Sequence, residues 1–433
     1  MNEAGKIKQA TYHLYTFTIS KLISTFGSSV YAFGISLYVL ALTGSAASFA
    51  VNLICSILPR TLLAPFAGYV ADNYPKKAVV LLSQAASVLS VGGLLLYSLS
   101  NGLSLAAIYT TTALISVSSM FTSVAFSSSI ANLIDTDRIQ KAMGYNQSAL
   151  AIATIGGPVI GGMLFGFVSM NIFLLIQVIA YGIAAMLEAT MNFRLYTKRV
   201  EMEEAKDKQG VWQGIWQGMK EGAAYLRKNR VITVIVTTAV GLNFFFSALM
   251  IGLPFIAVQQ LNVQATHFGF IEAMIALGML LASIYFSVRK EVRFPLQFSK
   301  RAIIVMSLLL AAVSLPLVAG LSYWGNVIYL LVLMLGFGIS NVFVNTPIGV
   351  MMQKDVDEEY RGRVFGILES MAMAMMPLGY LLFGLLYDLV PAQYVLWACS
   401  LCLLVLTAYS MRASIIREAY PELAKKSLHK ALS

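Results

Sequence analysis

Long apolar runs alternate with short polar breaks along almost the whole chain. A helix of about 20 residues with few charges spans the ~30 Å hydrocarbon core of a bilayer at ~1.5 Å per residue. Twelve such runs occur, at 13–42, 46–71, 78–99, 104–131, 142–167, 170–192, 231–258, 267–288, 302–320, 324–352, 364–388 and 392–411. A bilayer offers the backbone no water, so each run is expected to satisfy its own N–H and C=O groups as an α-helix. The predicted fold class is an all-α integral membrane protein with twelve transmembrane helices.

The placement of charge gives these spans a direction. Of 30 Lys and Arg, only Lys21 and Arg60 fall inside a span. The others occupy the N-terminus, every second connection and the C-terminal tail, while the connections at 43–48, 101–104 and 259–266 carry none. By the positive-inside rule both termini are expected in the cytoplasm, with the chain crossing the plasma membrane an even number of times. The net charge of +10 is then a topological label and a contact with membrane lipids, and no nucleic-acid partner is expected.

Composition agrees with this picture. The chain is 58% hydrophobic and 12% charged, with a mean hydropathy of +0.76. Soluble domains carry about 25% charged residues, so a soluble multidomain enzyme is excluded, as is disorder. Cys55, Cys399 and Cys402 all lie in apolar runs, and neither a disulfide nor a metal role is expected of them. The first apolar run exceeds the ~7–15 residues of a signal h-region, so the first span is expected to be retained.

The polar stretch 193–230 divides the chain into a six-helix bundle at 1–192 and another at 231–413, followed by a tail at 414–433. The halves resemble each other. Phe26, Ser29 and Gly34 match Phe244, Ser247 and Gly252 at an offset of 218. Asp135, Lys141, Gly144, Gln147, Ser148 and Gly162 meet Asp357, Arg363, Gly366, Glu369, Ser370 and Gly384 at an offset of 222. Duplicated bundles suit alternating access to a site near the midplane. Within 193–230, Trp212, Trp216, Met219, Ala223 and Leu226 share one helical face, so an amphipathic helix lying on the inner leaflet is expected.

Several motifs resemble a known family. Gly68-Tyr-Val-Ala-Asp72-Asn-Tyr-Pro75-Lys76-Lys77, at the end of span 2, resembles the 2–3 loop signature of the major facilitator superfamily. Gly156-Gly157-Pro158-Val-Ile-Gly161-Gly162 in span 5 is similar to the antiporter signature of its exporters. Gly144-Tyr-Asn-Gln147-Ser148, Met219-Lys-Glu-Gly222, Leu226-Arg-Lys-Asn229 and Gly362-Arg363-Val-Phe365 resemble the bacterial macrolide-efflux type of drug:proton antiporter. The resemblance implies two pseudo-symmetric bundles, an inner gate at Gly68, Asp72, Lys76, Lys77 and Arg363, and a leak-blocking role for the span 5 glycines. The chain departs from the loop signature at Asn73 and Pro75, and around 283–294 in the second half little of it remains except positive charge.

The chain contains neither G-x-x-x-x-G-K-[ST] nor HExxH, and its three histidines are scattered. No cofactor, metal or enzymatic activity is expected, and transport would run on an ion gradient. Intramembrane acids are then the candidates for proton coupling. Glu369 in span 11 is the leading candidate and Glu272 in span 8 the second, each with a static structural reading as its rival. Glu188 and Asp388 lie near span ends and are expected to reach the interface. Arg60 and Lys21 are the charge partners, with Arg60–Glu369 as a candidate pair and Lys21 alternatively snorkelling to the inner surface.

Substrate-pocket candidates are Asn243, Phe246, Asn341, Asn345 and Met373, which would offer apolar and hydrogen-bonding surface to a bulky amphipath. The expected activity is export of amphipathic, macrolide-type compounds in exchange for protons by a monomer. Transport of a natural metabolite such as a siderophore, in either direction, is the alternative; a non-transporting receptor or scaffold is a third reading.

Overall fold

The computed structural model describes residues 3–135, 138–193, 195–196, 220–221, 224–226 and 228–420. Twelve of its helices are long and apolar enough to cross a membrane, and no strand occurs among the described residues. We number these helices α1 (Glu3–Thr43), α2 (Ala46–Asn73), α3 (Lys76–Asn101), α4 (Leu105–Ser127), α5 (Ile139–Phe167) and α6 (Met170–Ala189). They continue with α7 (Arg230–Pro254), α8 (Ala265–Val288), α9 (Pro295–Ala312), α10 (Tyr323–Asp355), α11 (Glu358–Leu389) and α12 (Ala392–Ser410). Trp212, Trp216, Met219 and Ala223 of the expected amphipathic helix lie outside the described residues, as does the tail beyond residue 420.

The turns between helices are built from small polar residues. Ser45, Ser104, Ser169, Asn229 and Ser322 each accept a hydrogen bond from the backbone N–H three residues on, capping α2, α4, α6, α7 and α10. Each cap satisfies one of the donors that a helix start leaves unpaired. Gly44 closes α1 at φ +63°, a left-handed conformation that only glycine adopts without strain.

Helix ends and hydropathy spans part company most clearly in four helices. The first helix begins at Glu3 rather than near residue 13, and α10 and α11 extend past their apolar runs to 33 and 32 residues. Hydropathy marks the part of a helix that suits lipid, and backbone hydrogen bonding continues through polar turns beyond it. The ninth span, expected as one run over 302–320, stops at Ala312 and resumes as a short helix at Leu315–Ala319. Pro316 has no N–H for the Ala312 carbonyl four residues earlier. The Tyr329 hydroxyl donates to that carbonyl instead, at 2.8 Å.

The chain falls into two compact units. The first holds Met1–Val200 with Asn262–Ala273, and the second holds Glu201–Leu261 with Met274–Ser433. The first turns of α8 thus belong to the first unit and the remainder to the second, a division inside a single apolar run that hydropathy has no means of showing. Within the first unit α1 packs on α5 and α6, and α3 packs on α4 and α6. Within the second, α7 packs on α11 and α12, and α9 packs on α10 and α12. The pairing pattern is the same, as expected of a duplicated sequence.

Candidate functional site

The glycines of α5 are placed by contact on two sides. A side-chain carbon on Gly157 would collide with Ser29 of α1, and one on Gly161 would press on Phe33 and the Val30 carbonyl. On another face, Gly162 meets the Ala265 carbonyl of α8, and Gly269 of α8 in turn meets the Pro158 carbonyl of α5. Small residues on both helices let the two backbones touch, which is how helices gain packing energy in a solvent as apolar as themselves. Phe33 of α1 stacks on Phe268 of α8, with ring centroids 5.7 Å apart, and closes this three-helix contact.

Glu272 lies one helical turn beyond Gly269 on α8 and so shares its face. It is half-buried, and its Oε2, shielded from solvent, makes no hydrogen bond among the described residues. Glu369 differs: it lies on an exposed face of α11. The two candidate proton carriers therefore occupy different environments, and Glu272 is the more covered by protein.

A cavity of about 480 Å³ opens inside the first unit. Six helices line it, with Lys21 from α1, Arg60 from α2, Gln84 from α3, Thr122 and Ser123 from α4, Leu150 from α5 and Tyr181 from α6. Arg60 is exposed, whereas Lys21 is only 8% exposed and donates to the Ser123 hydroxyl at 3.4 Å. Lys21 does not snorkel to a surface. Its nearby carboxylate is Glu188 of α6, and Glu188 also corrects an expectation: it is 0% exposed and accepts from Ser20 at 2.6 Å rather than reaching an interface. Distance from the end of an apolar run suggested an interfacial carboxylate; α1, 168 residues away, covers it.

The second unit contains a cavity of about 240 Å³ between α7, α9, α10 and α11. Asn243, Phe246, Asn341 and Asn345 all line it, with Met306 and Met352 beside them. Asn345 donates to both the carbonyl and the side-chain oxygen of Asn341, at 3.0 and 3.2 Å, which orients the pair. Phe246 is held by stacking on Phe337 at 5.6 Å. Met373 is absent from this lining and is 47% exposed on α11.

Two of the five residues assigned to an inner gate, Lys76 and Lys77, hold helix ends. Lys76 donates to the carbonyl of Ser128 at 2.6 Å, at the end of α4. Lys77 donates to the carbonyls of Ala189 and Met191 at 2.7 and 3.0 Å, at the end of α6. A cation on these unpaired carbonyls also complements the helix dipole. In the second unit Lys300 does the same for α12, donating to Met411 at 2.7 Å. Sequence comparison of the two halves missed this correspondence because Lys300 lies one turn into α9, in a segment whose surrounding motif has changed.

Arg363 pairs with Glu221 at 2.6 Å and lies over the Tyr360 ring, joining the described end of the linker to the start of α11. Tyr225 stacks on Tyr360 at 4.8 Å in the same place. Leu226, expected on the apolar face of a linker helix, is buried in the core cluster that includes Val356 and Val364. A carbon added at Gly68 would meet nothing within 4 Å, and the Asp72 side chain lies outside the described residues. No group of three or more His, Cys, Asp or Glu residues able to hold a metal occurs among the described residues.

Comparison with known proteins agrees with this architecture. The chain is 22% identical to Macrolide efflux protein A of Streptococcus pyogenes over 380 residues, 86% of this chain and 89% of that one. It is 33% identical over 128 residues to the Lysophospholipid transporter LplT of Photorhabdus laumondii subsp. laumondii, 30% of either chain. The solved structure of the nucleoside transporter NupG superposes with a TM-score of 0.68 at 16% identity, covering 92% of this chain and 98% of that one. Residues 17–380 match the family model of the Major Facilitator Superfamily. With twelve spanning helices in two units that repeat each other's helix pairing, the chain belongs to the major facilitator superfamily and is a multi-pass membrane transporter.

Proposed function

We propose that this transporter exports amphipathic compounds in exchange for protons, with both termini in the cytoplasm. The observation that carries the reading is Glu272, a carboxyl group with one oxygen shielded from solvent and unbonded, one turn from the glycine contact of α5 and α8. An ionisable group inside a spanning helix is costly to keep charged and so exchanges a proton readily when water reaches it. A helix contact made by glycine backbones slides with little obstruction, and water access to Glu272 would change as α8 moves on α5. Glu369 is the second proposed carrier. The Asn- and Met-lined cavity of the second unit supplies apolar surface with a few oriented hydrogen-bonding groups, the usual make-up of a small-molecule site. Macrolides and lysophospholipids, named in two relatives, are both amphipaths.

The test uses liposomes containing the purified protein in inverted orientation with an acidic interior. Macrolides, dyes and neutral or charged amphipaths are added while a pH-sensitive probe is followed. Collapse of the gradient by some compounds with the wild-type protein, and its absence with Glu272→Gln, is the expected result. Folded protein that dissipates no gradient with any compound would refute proton exchange and favour transport of a specific metabolite.

A further inference from the structure

The cavity of the first unit has a chemistry that proton exchange leaves unused. Its lining presents two cations, Lys21 and Arg60, together with serine and threonine hydroxyls and the Gln84 amide, and it includes no carboxylate. Glu188 partly balances Lys21 from behind the wall, bonded to Ser20 and absent from the lining. Arg60 faces the cavity without an acid in that lining.

The polar groups are also incompletely paired. Gln84 is 2% exposed and its Nε2 makes no hydrogen bond among the described residues. Thr122 is 4% exposed and its Oγ1 is likewise unpaired. Buried donors left without acceptors cost free energy that a suitable guest would recover. Two cations, an amide N–H and hydroxyl groups are all donors, so the guest they suit is rich in acceptors.

We propose that this cavity receives the anionic end of the transported molecule, a phosphate or carboxylate group. The guanidinium of Arg60 matches two oxyanion oxygens with parallel N–H bonds, and the Lys21 ammonium adds a point charge. Gln84 and Thr122 donate to the remaining oxygens. A protonated amine meets two like charges and no acceptor carboxylate in the same space, so the wall also rejects cationic amphipaths. This assignment rests on the transport reading above and narrows its substrate class to acidic amphipaths, a class that leaves out the basic macrolides.

The experiment measures binding by calorimetry to the full-length protein in nanodiscs, with empty nanodiscs subtracted. The probes are hexyl phosphate, inorganic phosphate and hexyltrimethylammonium, which are water-soluble and need no gradient. Hexyl phosphate is expected to bind wild type, at least 10-fold more weakly to Arg60→Gln and at an intermediate level to Arg60→Lys. Hexyltrimethylammonium is expected to bind at least 10-fold more weakly than hexyl phosphate. Inorganic phosphate binding as tightly as hexyl phosphate identifies a free oxyanion as the ligand; weaker binding identifies an amphipath, and either supports the site.

Equal affinity for the cationic probe, no binding of hexyl phosphate, or unchanged binding in Arg60→Gln overturns the proposal. If Arg60→Gln does not fold, Gln84→Leu provides the same test, with a loss of at least 3-fold expected and no change overturning it. Binding without gradient collapse would sink proton exchange and keep the site. Gradient collapse by cationic amphipaths alone would do the reverse.

Discussion

Ser29 of α1 rests on Gly157 of α5 so closely that a methyl group has no room at the glycine. Ser247 and Gly379 make the same contact in the second unit, 218 and 222 positions further along the chain. The repeat visible in sequence is therefore a repeat of a physical contact, in which a small polar residue on the first helix of each half meets a glycine on the fifth. Gly157→Ala is expected to destabilise the protein by about 1–3 kcal/mol, the usual cost of overfilling a packed contact. Ser29→Gly in the same chain should restore most of that loss. Thermal unfolding in detergent checks both variants, and an unshifted midpoint in Gly157→Ala would show that α1 and α5 have slack here.

Lys77 and Lys300 each hold the last carbonyls of a helix. A charged hydrogen bond of this kind contributes about 1.5–3 kcal/mol where it is shielded, and less where water competes. Lys77→Met should speed amide exchange around 189–191, and Lys300→Met should do the same around 411. The helix interiors should be unaffected. Exchange measured by mass spectrometry separates this from a gating role, which would change transport while leaving exchange at the helix ends unaltered.

Glu272→Gln and Glu369→Gln distinguish the two candidate carriers. With Glu272 as the leading site, Glu272→Gln should lower proton-coupled flux by at least 10-fold while counterflow of substrate down its own gradient persists. Glu369→Gln should retain more coupled flux. The opposite ranking would return the principal role to α11.

Asp135 forms an ion pair with Arg138 at 2.5 Å, and the Arg138 hydrogen bond holds its carboxyl below the usual carboxylate range. A depressed folded value means that the contribution is present above the unfolded value of about 3.9 and is lost as pH falls through the folded one. The pair is partly exposed, so its contribution is below about 1 kcal/mol. Asp135→Asn should lower the unfolding midpoint slightly at pH 6 and converge with wild type in acid. Parallel curves at every pH would show that the pair contributes nothing.

In the second unit, Asn341→Ala should release Asn345 from its side-chain partner and widen the cavity that both line. Affinity for any compound transported through this cavity is expected to fall by roughly 5- to 30-fold, the range for one hydrogen bond of ~1–2 kcal/mol. Met373→Ala, outside the lining, should leave affinity unchanged. Competition binding with an identified substrate provides the comparison.

The sequence by itself determined twelve spans and an internal repeat, because bilayer thickness sets helix length and each of these properties is local or periodic. It also brought Asn243, Phe246, Asn341 and Asn345 forward together, since they lie on the helices that a repeated bundle turns inward. Burial required the tertiary structure. Glu188 and Lys21 looked interfacial by their distance from span ends, yet each is covered by helices more than 100 residues away. Glu369 looked deep and is exposed, while Glu272 has a shielded, unbonded oxygen. Hydropathy reports whether a segment suits lipid; which side of a helix meets protein, cavity or lipid depends on rotation about its axis, and the neighbouring helices set that.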